Sequence, residues 1–353
     1  MRLEMRARGW NEICVLPPRS FPMRPPPRAI LASLAVPFLL AACGTGQSRA
    51  PVASAALPVP AAVPVAPAAG YAAALEGESP YRPSPYFLPE IDARPEFAAS
   101  SVPYTRAESY LLIDAATGRH LASRNAEVKR SVASTQKLVT ALVILDAGNL
   151  DKPVRVQAGD LRVEPTVLGL RAGETYTRRN LLYVMLVKSC NDVANVLARD
   201  NAGSISAFAA KMNAKARSLG CYNSSFKNPH GLTAPGQYST ARDMARVSMA
   251  AYRNPVIRDA VRRRSYTFRR NNGQMVTLKS TNDLLAFMPE CNGMKTGYTN
   301  AAGRCLISTA SRSGRNVILV QLGTKTKYIW DDGRILMSWG LQRARGSSFA
   351  FAP

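Results

Sequence analysis

Ser131-Val-Ala-Ser-Thr-Gln-Lys-Leu-Val-Thr-Ala-Leu-Val-Ile-Leu145 is the stretch on which the reading of this chain turns. After Ser134 it is almost wholly apolar, through Leu138, Val139, Ala141, Leu142, Val143, Ile144 and Leu145. A helix apolar on every side belongs in a protein interior. Residues three apart on a helix share a face, so Lys137 is expected one turn above Ser134. The serine falls in the first turn, where free N–H groups and the positive dipole end favour a developing anion. Burial makes the ammonium form of Lys137 costly and lowers its pKa toward that of a working base. Ser134 and Lys137 therefore read as nucleophile and base, with a plain helix cap as the duller reading of the serine.

The chain has 353 residues, 46% hydrophobic and 20% charged, which suits one large catalytic domain with appendages. Its only histidines are His120 and His230. It has no Cys-x-x-Cys, His-Glu-x-x-His or EF-hand loop, so no metal is expected. Without a strand-linked Gly-x-Gly-x-x-Gly or a Walker loop, no nucleotide is expected either, and the cofactor reading is none. Net charge is +23, and +19 without residues 1–43. That excess fits a solvated Arg-rich surface or attraction to an anionic polymer, cell-wall or lipid surface. No base-reading or stacking module accompanies it, so nucleic acid is not an expected partner.

Residues 1–43 read as a secretion signal. Arg24 and Arg28 precede the apolar run from Ala29 to Leu40, which is too short to span a membrane stably. It ends in Leu40-Ala41-Ala42-Cys43-Gly44, which resembles a bacterial lipobox with Cys43 lipidated; an ordinary cleavage site beside a chance cysteine is the alternative. Gly44 in place of aspartate favours, by that resemblance, the outer membrane in a cell that has one. Translation is expected to start at Met23, since Met23-Arg24 opens a compact signal. Residues 44–95 hold ten of the 25 prolines, spaced by alanine, valine and serine, and read as a poorly folding tether.

The compact domain is expected over 96–345, with 346–353 as a tail. Tyr110–Asp114 and Leu121–Ser123 flank a turn at Thr117-Gly118, a hairpin pattern. Another apolar segment, Leu181–Val187, precedes Ser189-Cys190-Asn191 and a helix near Val193–Arg199. Helices are expected at about 204–219, 239–252 and 254–262. Strands are expected around Tyr266–Phe268, Lys295–Gly297, Cys305–Ser308 and Val317–Gln321. A last amphipathic helix runs from about Trp330 to Arg343.

Ser-x-x-Lys or Ser-x-Asn alone is weak, and the chain holds further copies of both patterns, among them Ser224-Ser-Phe-Lys227 and Ser280-Thr-Asn282. The first of these lies in a turn-rich segment with no helix to join serine and lysine. What persuades is order, spacing and setting combined. Ser134 opens a buried helix, Ser189-Cys-Asn191 follows 55 residues later, and Lys295-Thr-Gly297 follows 106 after that on a strand. This is the three-part signature of penicillin-binding proteins and class A β-lactamases. Asn228-Pro-His-Gly-Leu232, Tyr238-Ser-Thr-Ala-Arg-Asp-Met244 and Gly293-Met-Lys-Thr-Gly-Tyr-Thr-Asn-Ala-Ala-Gly303 narrow it. Over about 100–343 the chain closely resembles the low-molecular-weight D-alanyl-D-alanine carboxypeptidases, the S11 serine peptidases.

The resemblance implies an α+β fold of the β-lactamase/DD-peptidase type. An antiparallel sheet is flanked by helices, with a mostly helical subdomain and the active site between them. It implies acyl transfer: Ser134 attacks the carbonyl between two terminal D-alanines, Lys137 takes its proton, and water releases the acyl group. Ser189 would relay a proton to the leaving amine, and Asn191 would hold Lys137 or the substrate amide. The backbone N–H groups of Ser134 and Tyr298 would form the oxyanion hole. Lys295 and Thr296 would bind the terminal carboxylate, and Gly297 would let substrate lie along the strand. Expected partners are peptidoglycan stem peptides, β-lactams as covalent inhibitors, and a membrane through a lipid on Cys43, in the periplasmic cell envelope.

Asp192 and His230 read as structural, with a serine–histidine pair as the competing reading of the latter. Cys190 reads as a small buried filler. Cys190, Cys221, Cys291 and Cys305 allow three pairings, and Cys291 and Cys305 bracket the Lys-Thr-Gly strand. A disulfide between them in an oxidising compartment is the alternative to free thiols, since a domain this large needs no disulfide framework. A class A β-lactamase needs a glutamate between the second and third motifs to activate water. Only Glu290 lies there, five residues before Lys295, so that reading is set aside. A DD-endopeptidase uses the same site with room for a longer leaving group. Many family carboxypeptidases place an arginine near the start of the final helix; here that point falls near Ile329, with Lys325 or Lys327 as substitutes. The departure weakens the carboxypeptidase preference without removing it. Beyond Arg343 no C-terminal β-domain or amphipathic anchor of the family type is read.

Overall fold

The computed structural model describes residues 88–325 and 327–346. The signal, the lipobox, the tether up to residue 87 and the tail from residue 347 lie outside them. The chain opens with a hairpin of β1 (Ser109–Asp114) and β2 (His120–Arg124). A 3-10 turn at Ala133–Gln136 leads into α1 (Lys137–Asp146). A short ribbon of β3 (Pro153–Arg155) and β4 (Thr175–Thr177) precedes α2 (Arg178–Lys188), α3 (Asn191–Ala202) and α4 (Ile205–Ser218). Then come α5 (Ala241–Arg253), α6 (Pro255–Val261) and a second ribbon of β5 (Ser265–Arg269) and β6 (Met275–Lys279). The single turn α7 (Leu284–Phe287) leads to β7 (Cys291–Thr299), β8 (Gly303–Arg312), β9 (Arg315–Thr324) and α8 (Ile329–Arg343).

The main sheet has five antiparallel strands in the order β2-β1-β9-β8-β7. Its central strands read as unbroken apolar runs because both faces are covered. Leu111, Ile113, Ile307 and Ile318 point into the core shared with helices α1 to α5. Their neighbours Leu112, Leu306, Val317 and Leu319 point into a second core under α8. Side chains alternate faces along a strand, so one segment feeds both cores. The fold is α+β.

Leu138 through Ile144 are buried all round, as the sequence requires of an interior helix. The expected hairpin and helices fall within a few residues of their places. β6 was not anticipated: of its five residues only Leu278 is buried, so it lacks an apolar alternation to detect. Packing also reaches upstream of residue 96. Ile91 is buried, and the Asp92 and Glu96 amides donate to the carbonyls of Gly118 and His120 at 3.3 and 2.7 Å. One apolar residue in a proline-rich setting gives no periodic signal of its own.

β7 is an outermost strand of the sheet, and it lies against the Ala133–Gln136 turn. The sheet edge and the head of the buried helix therefore meet.

Candidate active site

Lys137 is fully buried although its side chain ends in an amine. Its Nζ lies 2.9 Å from Ser134 Oγ, 2.7 Å from Asn191 Oδ1 and 2.7 Å from the His230 carbonyl oxygen. Burial first, and the charge of Lys295 second, holds its pKa well below the ordinary lysine value. A neutral amine donates two hydrogens and offers one lone pair. Asn191 and His230 can take the hydrogens, which leaves the lone pair for the Ser134 hydroxyl. Ser134 itself sits in the 3-10 turn, one short step before the α-helix proper.

Across the cleft stands a second serine–lysine pair. Ser189 ends α2 in the left-handed conformation, at φ 69°. Its Oγ accepts from Lys295 Nζ at 2.7 Å, and Lys295 also donates to the Thr296 carbonyl at 3.0 Å. Burial lowers the pKa of Lys295 to about 7. Asn191 opens α3, and both ends of its amide are engaged: Oδ1 by Lys137, and Nδ2 by the Pro165 carbonyl at 2.5 Å. Of its two expected tasks, holding Lys137 is the one its contacts occupy.

Neighbouring residues act on the surrounding frame. The Asp192 carboxylate accepts from the amides of Leu168 and Gly169 at 3.0–3.1 Å, a structural task as read from sequence. Cys190 is wholly buried and its thiol pKa is pushed up to about 12, so it stays protonated as an apolar filler. His230 offers the site its carbonyl rather than its ring. Burial pushes the ring pKa down to about 3, and Nδ1 accepts from the Leu232 amide at 3.2 Å.

On β7, Thr296, Gly297 and Tyr298 line the cleft beside Ser134 and Ser189, around a cavity of about 270 Å³. A Cβ built on Gly297 would sit 2.8 Å from the Ser134 nitrogen and 2.9 Å from Ala133 Cβ. Any side chain there would push the strand off the serine turn. Gly231 meets the same turn from the other side. At φ +92°, its added Cβ would lie 2.1 Å from the Ala133 carbonyl oxygen. Apart from Cys43, which lies outside the described residues, the site residues read from sequence come together: Ser134, Ser189, Thr296, Gly297 and Tyr298 line the cleft, and Lys137, Asn191 and Lys295 join its serines through hydrogen bonds.

Other lining residues escaped that reading. Thr281, the middle residue of the discounted Ser280-Thr-Asn282, borders the cleft and shares a 2.6 Å hydrogen bond with the Thr296 hydroxyl. Nothing in the sequence marks it for this place, because it becomes a neighbour of Thr296 only in the fold. Arg304, Ile329 and Trp330 complete one wall. Lys325 pairs with Glu108 at 3.6 Å, and neither it nor Lys327 lines the cavity. The other extra motif does not assemble, since Ser224 Oγ donates to Asp243 at 2.7 Å instead. All four cysteines of the described residues are free. Strand register puts Cys305 opposite Gly297 and Cys291 opposite Ala310, so the two stand far apart along the ladder and no bridge joins them. Among the described residues no His, Cys, Asp or Glu cluster could hold a metal ion, and no helix is long and apolar enough to cross a membrane.

An α+β domain that sets a lysine rather than a histidine beside its serine, and faces both with a lysine from an edge strand, defines the active-site serine DD-peptidases and their penicillin-binding relatives. Residues 96–326 match the family model described as peptidase S11, D-alanyl-D-alanine carboxypeptidase, and the chain belongs to that family. It is 35% identical over 259 residues to a D-alanyl-D-alanine carboxypeptidase of Mycobacterium tuberculosis, covering 71% of this chain and 87% of that protein. It is 33% identical to an Escherichia coli D-alanyl-D-alanine endopeptidase, covering 72% of this chain and 83% of that one. Against the Bacillus subtilis and Escherichia coli carboxypeptidases it spans only 63% and 62% of their lengths. A crystal structure of the D-alanyl-D-alanine carboxypeptidase from Mycobacterium tuberculosis superposes with a TM-score of 0.67 at 34% identity, over 72% of this chain and 100% of that one. A Streptomyces DD-transpeptidase gives 0.65 at 30%, over 69% and 99%.

Proposed function

We propose that the protein is a serine-type D-alanyl-D-alanine carboxypeptidase that trims peptidoglycan stem peptides through an acyl-enzyme on Ser134. The observation that carries this is the amine of Lys137, desolvated and 2.9 Å from the Ser134 hydroxyl. Ser134 Oγ attacks the carbonyl between the terminal D-alanines, and its proton passes to Lys137 Nζ. The negative oxygen that forms is held by the N–H groups of Ser134 and Tyr298; one such donor contributes about 3–4 kcal/mol. Ser189, bridged to Lys295, relays the proton taken up by Lys137 to the departing D-alanine nitrogen as the C–N bond breaks. That leaves Lys137 neutral to take the proton of the attacking water and return it to Ser134 Oγ. Lys295 and Thr296 hold the terminal carboxylate. Water then attacks the ester and frees Ser134. β-Lactams enter the same path and stay attached.

A second reading, DD-endopeptidase action on cross-links, draws on Ile329 and Trp330. Those residues make one wall apolar where many relatives place a cation. A relative named as an endopeptidase matches at an identity similar to that of the carboxypeptidases.

The soluble domain should be labelled by fluorescent penicillin, and Ser134→Ala should not. Release of free D-alanine from a pentapeptide, without splitting of a cross-linked dimer, is the expected pattern. Splitting of the dimer alone would replace the reading with the second one, and no label at all would end both. As part of the same proposal, residues 1–43 export the chain, Cys43 carries a lipid, and residues 44–87 tether the domain within the cell envelope, at the outer membrane where there is one.

A further inference from the structure

Among the residues that line the cleft, Arg304 is the only one with a permanent charge. It stands at the head of β8, opposite Tyr298 in the ladder. Its guanidinium carbon lies 5.6 Å from the centre of the Tyr298 ring, which is itself 61% exposed. A planar cation against an aromatic ring is held in orientation without being neutralised. Arg304 has no carboxylate partner among the described residues, whereas Arg312 at the far end of the same strand pairs with Glu290.

The other cation of the site, already assigned to the terminal carboxylate in the proposed mechanism, lies deeper. Lys295 is 1% exposed, and its Nζ is used by Ser189 and the Thr296 carbonyl. Ile329 and Trp330, which also line the cleft, carry no charge. A carboxylate entering beside Thr296 and Tyr298 therefore has one exposed, oriented, unpaired cation to meet, in geometry suited to a two-pronged contact.

We infer that Arg304 is a specificity-determining residue that binds a carboxylate of the incoming peptide, presented over the ring of Tyr298. The inference rests on the proposed peptidase reading and assigns that site a further contact. Two carboxylates of such a substrate have the chemistry: the terminal one, beyond the scissile bond, and a side-chain one on the acyl side. Arg304 raises kcat/KM for peptides that carry the one it binds.

The test compares wild type, Arg304→Gln and Arg304→Lys on three pentapeptides. One has all carboxylates free, one has a terminal carboxamide, and one has its side-chain carboxylates amidated. Wild type should prefer the free acid over one of the two amidated forms. Arg304→Gln should lose roughly tenfold in kcat/KM on the free acid. On the decisive amidated peptide it should lose nothing further, so the acid-to-amide ratio collapses. Whichever peptide shows the collapse identifies the carboxylate. Arg304→Lys keeps the charge and should recover part of the ratio. Unchanged acid-to-amide ratios in both series for Arg304→Gln overturn the inference while D-alanine release by wild type keeps the peptidase reading. No D-alanine release and no penicillin label with wild type overturns both.

Discussion

Two buried lysines set opposing demands on the cleft. In the proposed mechanism Lys137 must be neutral to take a proton from Ser134, and the charge of Lys295 helps keep it so. Lys295 loses its own charge near pH 7. The sign of the coupling follows. In Lys295→Gln the repulsion is gone, Lys137 holds its proton to higher pH, and the acid limb of penicillin acylation moves to higher pH. Stopped-flow acylation followed as a function of pH measures it. A limb that stays put or moves to lower pH would show that Lys295 does not act on Lys137.

Gly231 gives a sterically sharper test. The left-handed φ and the 2.1 Å approach to the Ala133 carbonyl leave no room for a methyl. Gly231→Ala should lower stability by about 1–3 kcal/mol, read as a shift in urea midpoint. It should also slow acylation, because the His230 carbonyl beside it holds Lys137. Full stability together with wild-type acylation would mean that the loop relaxes freely and does not position the lysine.

At the scale of elements, the N-terminus of α3 clamps the loop that forms the cleft's far lip. Asp192 takes the Leu168 and Gly169 amides, Asn191 takes the Pro165 carbonyl, and Arg270 donates to the Leu168 and Gly169 carbonyls. Removing one partner of such a buried network leaves amides unsatisfied at about 1–3 kcal/mol each. Asp192→Ala should therefore raise KM for the pentapeptide more than it lowers kcat, since Pro165 and Thr166 line the cleft without touching Lys137. A fall in kcat alone would mean that Asp192 acts through Asn191 on the base. The loop's role was not legible in the sequence, because its residues carry no motif and reach the site only through α3. The serine turn, α2–α3 and β7 were legible, since each places a chemically distinctive side chain at a fixed offset from its own end.

At the scale of the molecule, the folded part begins earlier than composition alone suggests. A chain starting at residue 88 should keep the thermal midpoint of the whole domain, whereas one starting at residue 100 should melt lower. The shorter chain loses buried Ile91 and the backbone bonds to Gly118 and His120. A side chain of that size contributes about 1.5–3 kcal/mol when fully buried. Equal midpoints for the two chains would make residues 88–99 dispensable.

The sequence by itself determined which groups are the candidates for the chemistry. The type, order and setting of Ser134, Lys137, Ser189, Asn191 and Lys295 are local facts, written in side-chain identity and helical or strand periodicity. Only the tertiary structure decided what surrounds them. That the His230 carbonyl rather than its ring meets Lys137, that Thr281 braces Thr296, and that Arg304 stands unpaired over Tyr298 depend on contacts between distant segments. A backbone oxygen has no letter in the sequence, and an arginine's freedom is set by which carboxylates the fold places beside it.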